Sequence, residues 1–304
     1  MTTWKAQRLL TPFASERLRP ARDLLSRVPQ SWAGCVMPSI VDVGCGTGEA
    51  SRLLLEKYPS SKLLLLDKSE ERLSKAREDD SLSGRSTVSF ACEAVEAHFG
   101  GDVGPLYDLV FSNAALHWCD ALPELARQLL SRVRPGGSLA IQMPDMHSEP
   151  SHTLFKETAA DLGLLPMNSG SGGPSPSGSS VQLGLPTNVA SEQEYADTLL
   201  GATAGPSSVS PLCASLDMWS TTYMHALEGD DAVFNFVRTT YDGRQALLES
   251  FGKAQDSEEA KAFEEAYRER VTRAYPRLAS KGITLYPFKR FFLVATRPGV
   301  LDML

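Results

Sequence analysis

The chain has 304 residues, 42% of them hydrophobic, which suits one large globular domain and excludes whole-chain disorder. With 30 basic and 37 acidic residues the formal charge is -7, so the composition speaks against a nucleic-acid polyanion or an anionic membrane as partner. Five scattered cysteines, without a CxxC pair or a Cys/His cluster, exclude a disulfide framework and a zinc site of familiar spacing.

The opening stretch MTTWKAQRLLTPFASERLRP lacks a signal-peptide core, and no later run approaches the ~18 apolar residues of a membrane span. A cytoplasmic protein with reduced thiols is the expectation. Residues 1–38 read as an N-terminal lid or helical segment, and 39–304 as one domain. From Ser39 onward, SIVDVG predicts a strand, EASRLLLEKY a helix and KLLLLD a strand buried on both faces. SEERLSKARED predicts a helix, followed by the strands STVSFACE and YDLVFSNAAL. LPELARQLLSRVRPGG reads as a helix closed by Pro135 and the Gly136-Gly137 pair, ahead of the strand SLAIQMP. Strands separated by helices of this length imply right-handed βαβ units. The predicted fold is therefore α/β: a doubly wound, mostly parallel sheet with helices on both faces.

In PMNSGSGGPSPSGSS, from Pro166, nearly every residue is Pro, Gly or Ser; a flexible surface insertion at about 166–188 is expected. A regulated or partner-binding loop is the other reading. GATAGPSSVSP, from Gly201, is a second loose stretch. Beyond it come the strand candidate LCASLDMWSTTYMHAL, a helix in DDAVFNFVRTTY and a helix opened by Ser257. The last element, YPFKRFFLVAT, is a strand with Lys289 and Arg290 in its middle. Adjacent strand residues point to opposite faces, so one of the two can be solvated while the other points toward a cleft. A surface pair on an edge strand is the alternative.

Asp42-Val43-Gly44-Cys45-Gly46-Thr47-Gly48 falls where the first strand meets a helix, the favoured ligand position in an open α/β sheet. Asp67 ends the second strand, nineteen residues beyond Gly48, where a carboxylate can accept both hydroxyls of a ribose. Counted from Gly44, the sixth position of a dinucleotide fingerprint is Glu49, not a small residue. Asp42, two residues before the first glycine, is a poor neighbour for pyrophosphate and a good one for a cation.

This D-x-G-x-G-x-G pattern resembles that of the class I methyltransferases, and YDLVFSNAALHW and LSRVRPGGSLAIQMP resemble their fourth-strand and fifth-strand motifs in order. The resemblance implies S-adenosylmethionine as cofactor and a seven-stranded Rossmann-like sheet whose last strand is antiparallel. It implies a cofactor site of Asp42, Gly44, Cys45, Gly46, Gly48, Asp67, Lys68, Glu93, Ala94 and Asn113. The family commonly carries an acidic adenine partner after the third strand; FACEAVEAH puts Ala94 there, with Glu93 and Glu96 beside it.

SNAALHWCDALPEL, LAIQMPDMHSEPSH, DMWSTTYMHALEGDDAVFNFVRTT, FASERLRPARDLLSRVP and YPFKRFFLVATR together are similar to the trans-aconitate 2-methyltransferase family. That similarity implies methylation of a carboxylate of a small polycarboxylic acid, giving a monomethyl ester and S-adenosylhomocysteine. It places Arg17, Trp118, Tyr223, His225, Arg244 and Arg290 on the substrate side. An ionised carboxylate needs no catalytic base, so the expected mechanism is positioning; His117 is a candidate base or a hydrogen-bonding spacer. Two departures bear on the acid accepted: RLLTPF replaces the lid tyrosine, and YDGRQ replaces Gly-Leu-Arg-Pro. Two alternatives stay open: methylation of another acid, such as a malonyl thioester on a carrier protein, and a regulatory protein that binds the cofactor without catalysis. The expected partner is a small carboxylic acid, with no nucleic acid or membrane, and the expected state a monomer.

Overall fold

The computed structural model describes residues 14–29, 35–101, 103–164, 189–201, 212–240 and 257–300. The predicted insertion, Arg244, YDGRQ, RLLTPF and the loose stretch after Gly201 lie outside these residues. Helix α1 (Ala14–Ser26) precedes β1 (Ser39–Val43), α2 (Glu49–Lys57), β2 (Lys62–Asp67), α3 (Glu70–Arg77) and α4 (Asp80–Ser83). Then come β3 (Val88–Cys92), α5 (Val95–Phe99), β4 (Tyr107–Asn113), a 3-10 turn (Leu116–Trp118), α6 (Leu122–Ser131) and β5 (Val133–Pro144). The remaining elements are α7 (Pro150–Asp161), α8 (Glu192–Leu200), β6 (Ser215–Glu228), α9 (Ala232–Thr240), α10 (Glu258–Ala274), β7 (Arg277–Leu278) and β8 (Ile283–Thr296).

The strand order is β3-β2-β1-β4-β5-β8-β6, with the two-residue β7 attached to β8. All pairings from β3 to β5 are parallel, and β8 runs antiparallel to β5. The fold is therefore the doubly wound α/β sheet, with seven strands along its main path. Leu63, Leu65 and Leu66 are fully buried, as a strand covered on both faces requires. Val41, Val43, Val110, Leu139, Ile141, Met143, Phe291 and Leu293 build one apolar core with α6. Alternation along the strands turns Asp42, Asn113, Gln142, Arg290 and Phe292 to the opposite face of the sheet.

Local chemistry starts and stops these elements. Ser69 and Ser257 accept N–H groups from the first turns of α3 and α10, and Ser191 and Glu194 form a reciprocal cap on α8. Pro150 opens α7, where its missing N–H has no helical partner to lose. Helices α5, α7 and α8 are additions to what the hydrophobic period marks. The helix expected to run to Gly137 ends instead at Ser131, and β5 already begins at Val133. The β4–β5 register jumps from Tyr107↔Val133 to Leu109↔Ser138, so the Arg-Pro-Gly-Gly residues bulge out of the ladder. Gly136 absorbs the bulge at φ 77°, and its N–H donates to the carbonyls of Arg297 and Pro298.

The chain divides into two units: residues 1–144, 189–221 and 290–304 form one, and residues 145–188 and 222–289 the other. The first unit holds the five strands β1 to β5 and the apolar core above. In the second, Phe155, Phe263 and Tyr267 of α7 and α10 pack edge to face and stacked. There the Ser151 hydroxyl sits 3.0 Å from the Tyr286 hydroxyl and 3.1 Å from His152 Nδ1, while the Ser151 carbonyl accepts the Tyr267 hydroxyl. Among the described residues no helix is long and apolar enough to cross a membrane.

Candidate active site

The candidate site lies in the first unit, at the carboxyl ends of β1, β2 and β4. Gly44, Gly46 and Gly48 all have positive φ, at 69°, 57° and 81°. They do different things. A Cβ on Gly44 would lie 2.2 Å from the Ala115 Cβ, and one on Gly48 2.4 Å from Leu82 Cδ1. A Cβ on Gly46 would meet nothing within 4 Å. Gly44 and Gly48 therefore permit close packing, whereas Gly46 turns the loop backbone toward open space. Gly44→Ala should lower unfolding stability by about 2–4 kcal/mol, combining left-handed strain with overpacking. Gly46→Ala pays only the strain, about 1–2 kcal/mol. Denaturant titration of both variants checks the order.

Two carboxylates bracket the loop. Asp67 is buried and accepts the Gly46 N–H at 2.8 Å and the Ser69 N–H at 2.9 Å, one on each oxygen. An ionised carboxylate has about four lone-pair sites, so two remain for a diol. Asp42 is buried and accepts the Ser51 hydroxyl at 2.6 Å. Burial pushes its carboxyl up to about 7; the Ser51 bond opposes this and the negative charge of Asp67 adds to it. Burial, with both carboxylates, also pushes the Cys45 thiol up, so it stays neutral. Ser51 is a site residue that motif reading missed; its signal is a hydroxyl on the otherwise apolar buried face of an amphipathic helix.

The turn after β4 closes the loop from the other side. Ala114 sits at φ 54°, a left-handed conformation uncommon for residues other than glycine, which Ala121 and Asp231 also adopt. Asn113 precedes it, and its amide oxygen is buried without a hydrogen-bond partner among the described residues. His117 is buried, and burial first, the Arg290 charge second, pushes its imidazole down to about 3. Trp118 is 41% exposed, with its ring 5.0 Å from that of His117.

The structure separates the central pair of β8. Lys289 is half-exposed and ion-paired to Asp145 at 2.7 Å within the second unit. Arg290 is 8% exposed, close enough to His117 to act on its charge, and shares the first unit with the glycine loop. The first unit thus gathers Asp42, Gly44, Cys45, Gly46, Gly48, Asp67, Asn113, His117, Trp118 and Arg290. Lys68 is exposed beside Asp67. Glu93 turns its carboxylate to His98, at 2.9 Å, and Ala94 stands at the start of α5. Tyr223, buried, and His225, whose ring stacks on Phe236 at 5.6 Å, belong to the second unit. Arg17 lies in α1 with its side chain outside the described residues, as is all of Arg244.

These residues suit a cationic, ribose-bearing cofactor: a buried carboxylate in Asp42, a second with acceptor sites to spare in Asp67, an open backbone at Gly46 and, on Asn113, an acceptor without a partner among the described residues. A methyltransferase domain model matches residues 41–139. Trans-aconitate 2-methyltransferases of Rhodopseudomonas palustris (strain BisA53), Methylobacterium nodulans and Azoarcus sp. are 34%, 36% and 33% identical to the chain. Each alignment covers 98% of this chain and 99–100% of the relative. The chain belongs to the trans-aconitate 2-methyltransferase family of S-adenosylmethionine-dependent methyltransferases.

Proposed function

We propose that the protein methylates a carboxylate of a small polycarboxylic acid, trans-aconitate, releasing a monomethyl ester and S-adenosylhomocysteine. The observation that carries this reading is Arg290, a buried cation on the sheet face shared with Asp42. S-adenosylmethionine supplies an electrophilic methyl group on a sulfonium. Asp67 holds the ribose diol, and Asp42 complements the positive end of the cofactor. Arg290 receives the acid, because a planar guanidinium matches a carboxylate in two parallel hydrogen bonds. His117 stays neutral and serves as a wall and hydrogen-bonding group; a base is unnecessary, since a carboxylic acid is already ionised at pH 7. The remaining work is alignment and exclusion of water. The five unpaired thiols support a reducing, cytosolic setting.

Asp42 gives the reading a pH signature. Its carboxyl keeps a proton to about pH 7 in the cofactor-free protein, whereas an unfolded aspartate loses it near 3.8. The cofactor-free fold therefore loses stability as pH rises between those values. A cationic cofactor prefers the ionised form, so its binding releases that proton. Affinity should rise with pH up to about 7 and level off above it. Calorimetry across pH 5.5–8.5 should show this slope, and Asp42→Asn should flatten it.

Substrate identity is tested by incubation with isotopically labelled S-adenosylmethionine and a panel of di- and tricarboxylic acids, read by mass spectrometry. Label is expected in a monomethyl ester of trans-aconitate. Label only in another acid or in an acylated carrier protein would replace the substrate. Cofactor binding without any label transfer would replace the enzyme by a regulator.

A further inference from the structure

Gln142 is 0% exposed, yet neither its amide oxygen nor its amide nitrogen has a hydrogen-bond partner among the described residues. Buried amides are ordinarily satisfied, and a buried side-chain amide open at both ends marks a place where a ligand supplies the partner. Its position says which ligand. Leu139, Ile141 and Met143 point into the apolar core, so Gln142 faces the other side of β5. Beside it in the ladder stand Asn113, the last residue of β4, and Phe292 of β8. Two residues along, Pro144 pairs with Arg290, which places Arg290 on the same face one step from Gln142. The Trp219 ring lies flat on Phe292 at 4.7 Å, walling the flank beyond β8.

We propose that Gln142 is a substrate-positioning residue whose amide N–H donates to the carboxylate held by Arg290. Resting on the carboxylate reading above, the assignment has its own chemical logic. Methyl transfer consumes the negative charge of the attacking oxygen, so a second full cation would stabilise the ground state more than the transition state. A neutral amide orients that oxygen and withdraws less of its charge. The fixed direction of an N–H also selects which lone pair faces the methyl group.

The test compares Gln142→Met, which keeps the length of the side chain, with Gln142→Asn, which keeps the amide and shortens it. Steady-state kinetics with trans-aconitate, cofactor calorimetry and thermal melting are read together. Gln142→Met is expected to raise the acid KM at least tenfold, with cofactor Kd within twofold and melting temperature equal to or above wild type. Gln142→Asn is expected to fall between. A lowered melting temperature with unchanged acid KM would make the amide structural and overturn the proposal. Weakened cofactor binding with unchanged acid KM would assign it to the cofactor and overturn it equally. If wild type makes no ester, the carboxylate reading itself fails, whereas an active wild type with an unaffected Gln142→Met removes this inference alone.

Discussion

Arg290→Met should raise the KM for the acid roughly 100-fold or more while leaving cofactor Kd within about twofold, the loss of a charge-assisted, bidentate carboxylate contact of about 3 kcal/mol. The size follows from burial. An exposed arginine would be screened, and its removal worth under about 1 kcal/mol. Arg290 is 8% exposed, and its charge adds to burial, the larger cause, in depressing the His117 imidazole. A cation placed there attracts a substrate anion with little competition from water. Arg290→Lys should recover only part of the loss, because an ammonium lacks the planar fork. The half-exposed Lys289 is the internal control: it is paired with Asp145, and Lys289→Met should leave the acid KM within about threefold. Equal effects at both positions would mean that Arg290 is not the substrate cation.

Asp67→Ala should weaken cofactor binding by about 1.5–3 kcal/mol, or roughly 10- to 150-fold in Kd, the scale of hydrogen bonds to a charged group. Two contributions combine. The ribose diol loses its acceptor, and the N–H groups of Gly46 and Ser69 lose the carboxylate that fixes the loop. Asp67→Asn separates them. An asparagine offers one oxygen and turns an NH2 group toward a backbone N–H, so it keeps the shape and loses the pairing. It should bind no better than the alanine variant. Isothermal titration of both variants decides this, and wild-type affinity in either would remove Asp67 from the site.

Much of this was legible in the residues. KLLLLD, the spacing of the three glycines and Asp67 at the end of β2 each follow from a local rule, and the parallel half of the sheet follows from them. Gly136 and Gly137 show where local rules stop. The pair has the composition of a helix-ending turn, but the β4–β5 register turns it into a bulge within β5, and register is a tertiary property. Lys289 and Arg290 show the same limit at the site. Alternation separates them, yet only the fold shows that Lys289 pairs with the buried Asp145 while Arg290 lies in the unit of the glycine loop. The state of His117 was not readable either, because its depressed imidazole arises from burial and from a cation that lies far along the chain. Gln142 had a signal that motif reading passed over: a lone amide in the apolar strand LAIQMP.

The central claim is that the site acts by holding an already ionised carboxylate in line with the methyl group, without a catalytic base. Its most direct test is the pH dependence of single-turnover methyl transfer, measured at saturating S-adenosylmethionine and trans-aconitate. With His117 neutral down to about pH 3 and Asp42 ionised in the cofactor complex, the rate should stay constant from about pH 6.5 to 9. A rate that climbs about tenfold per pH unit across that range would contradict the account and require a base at the site.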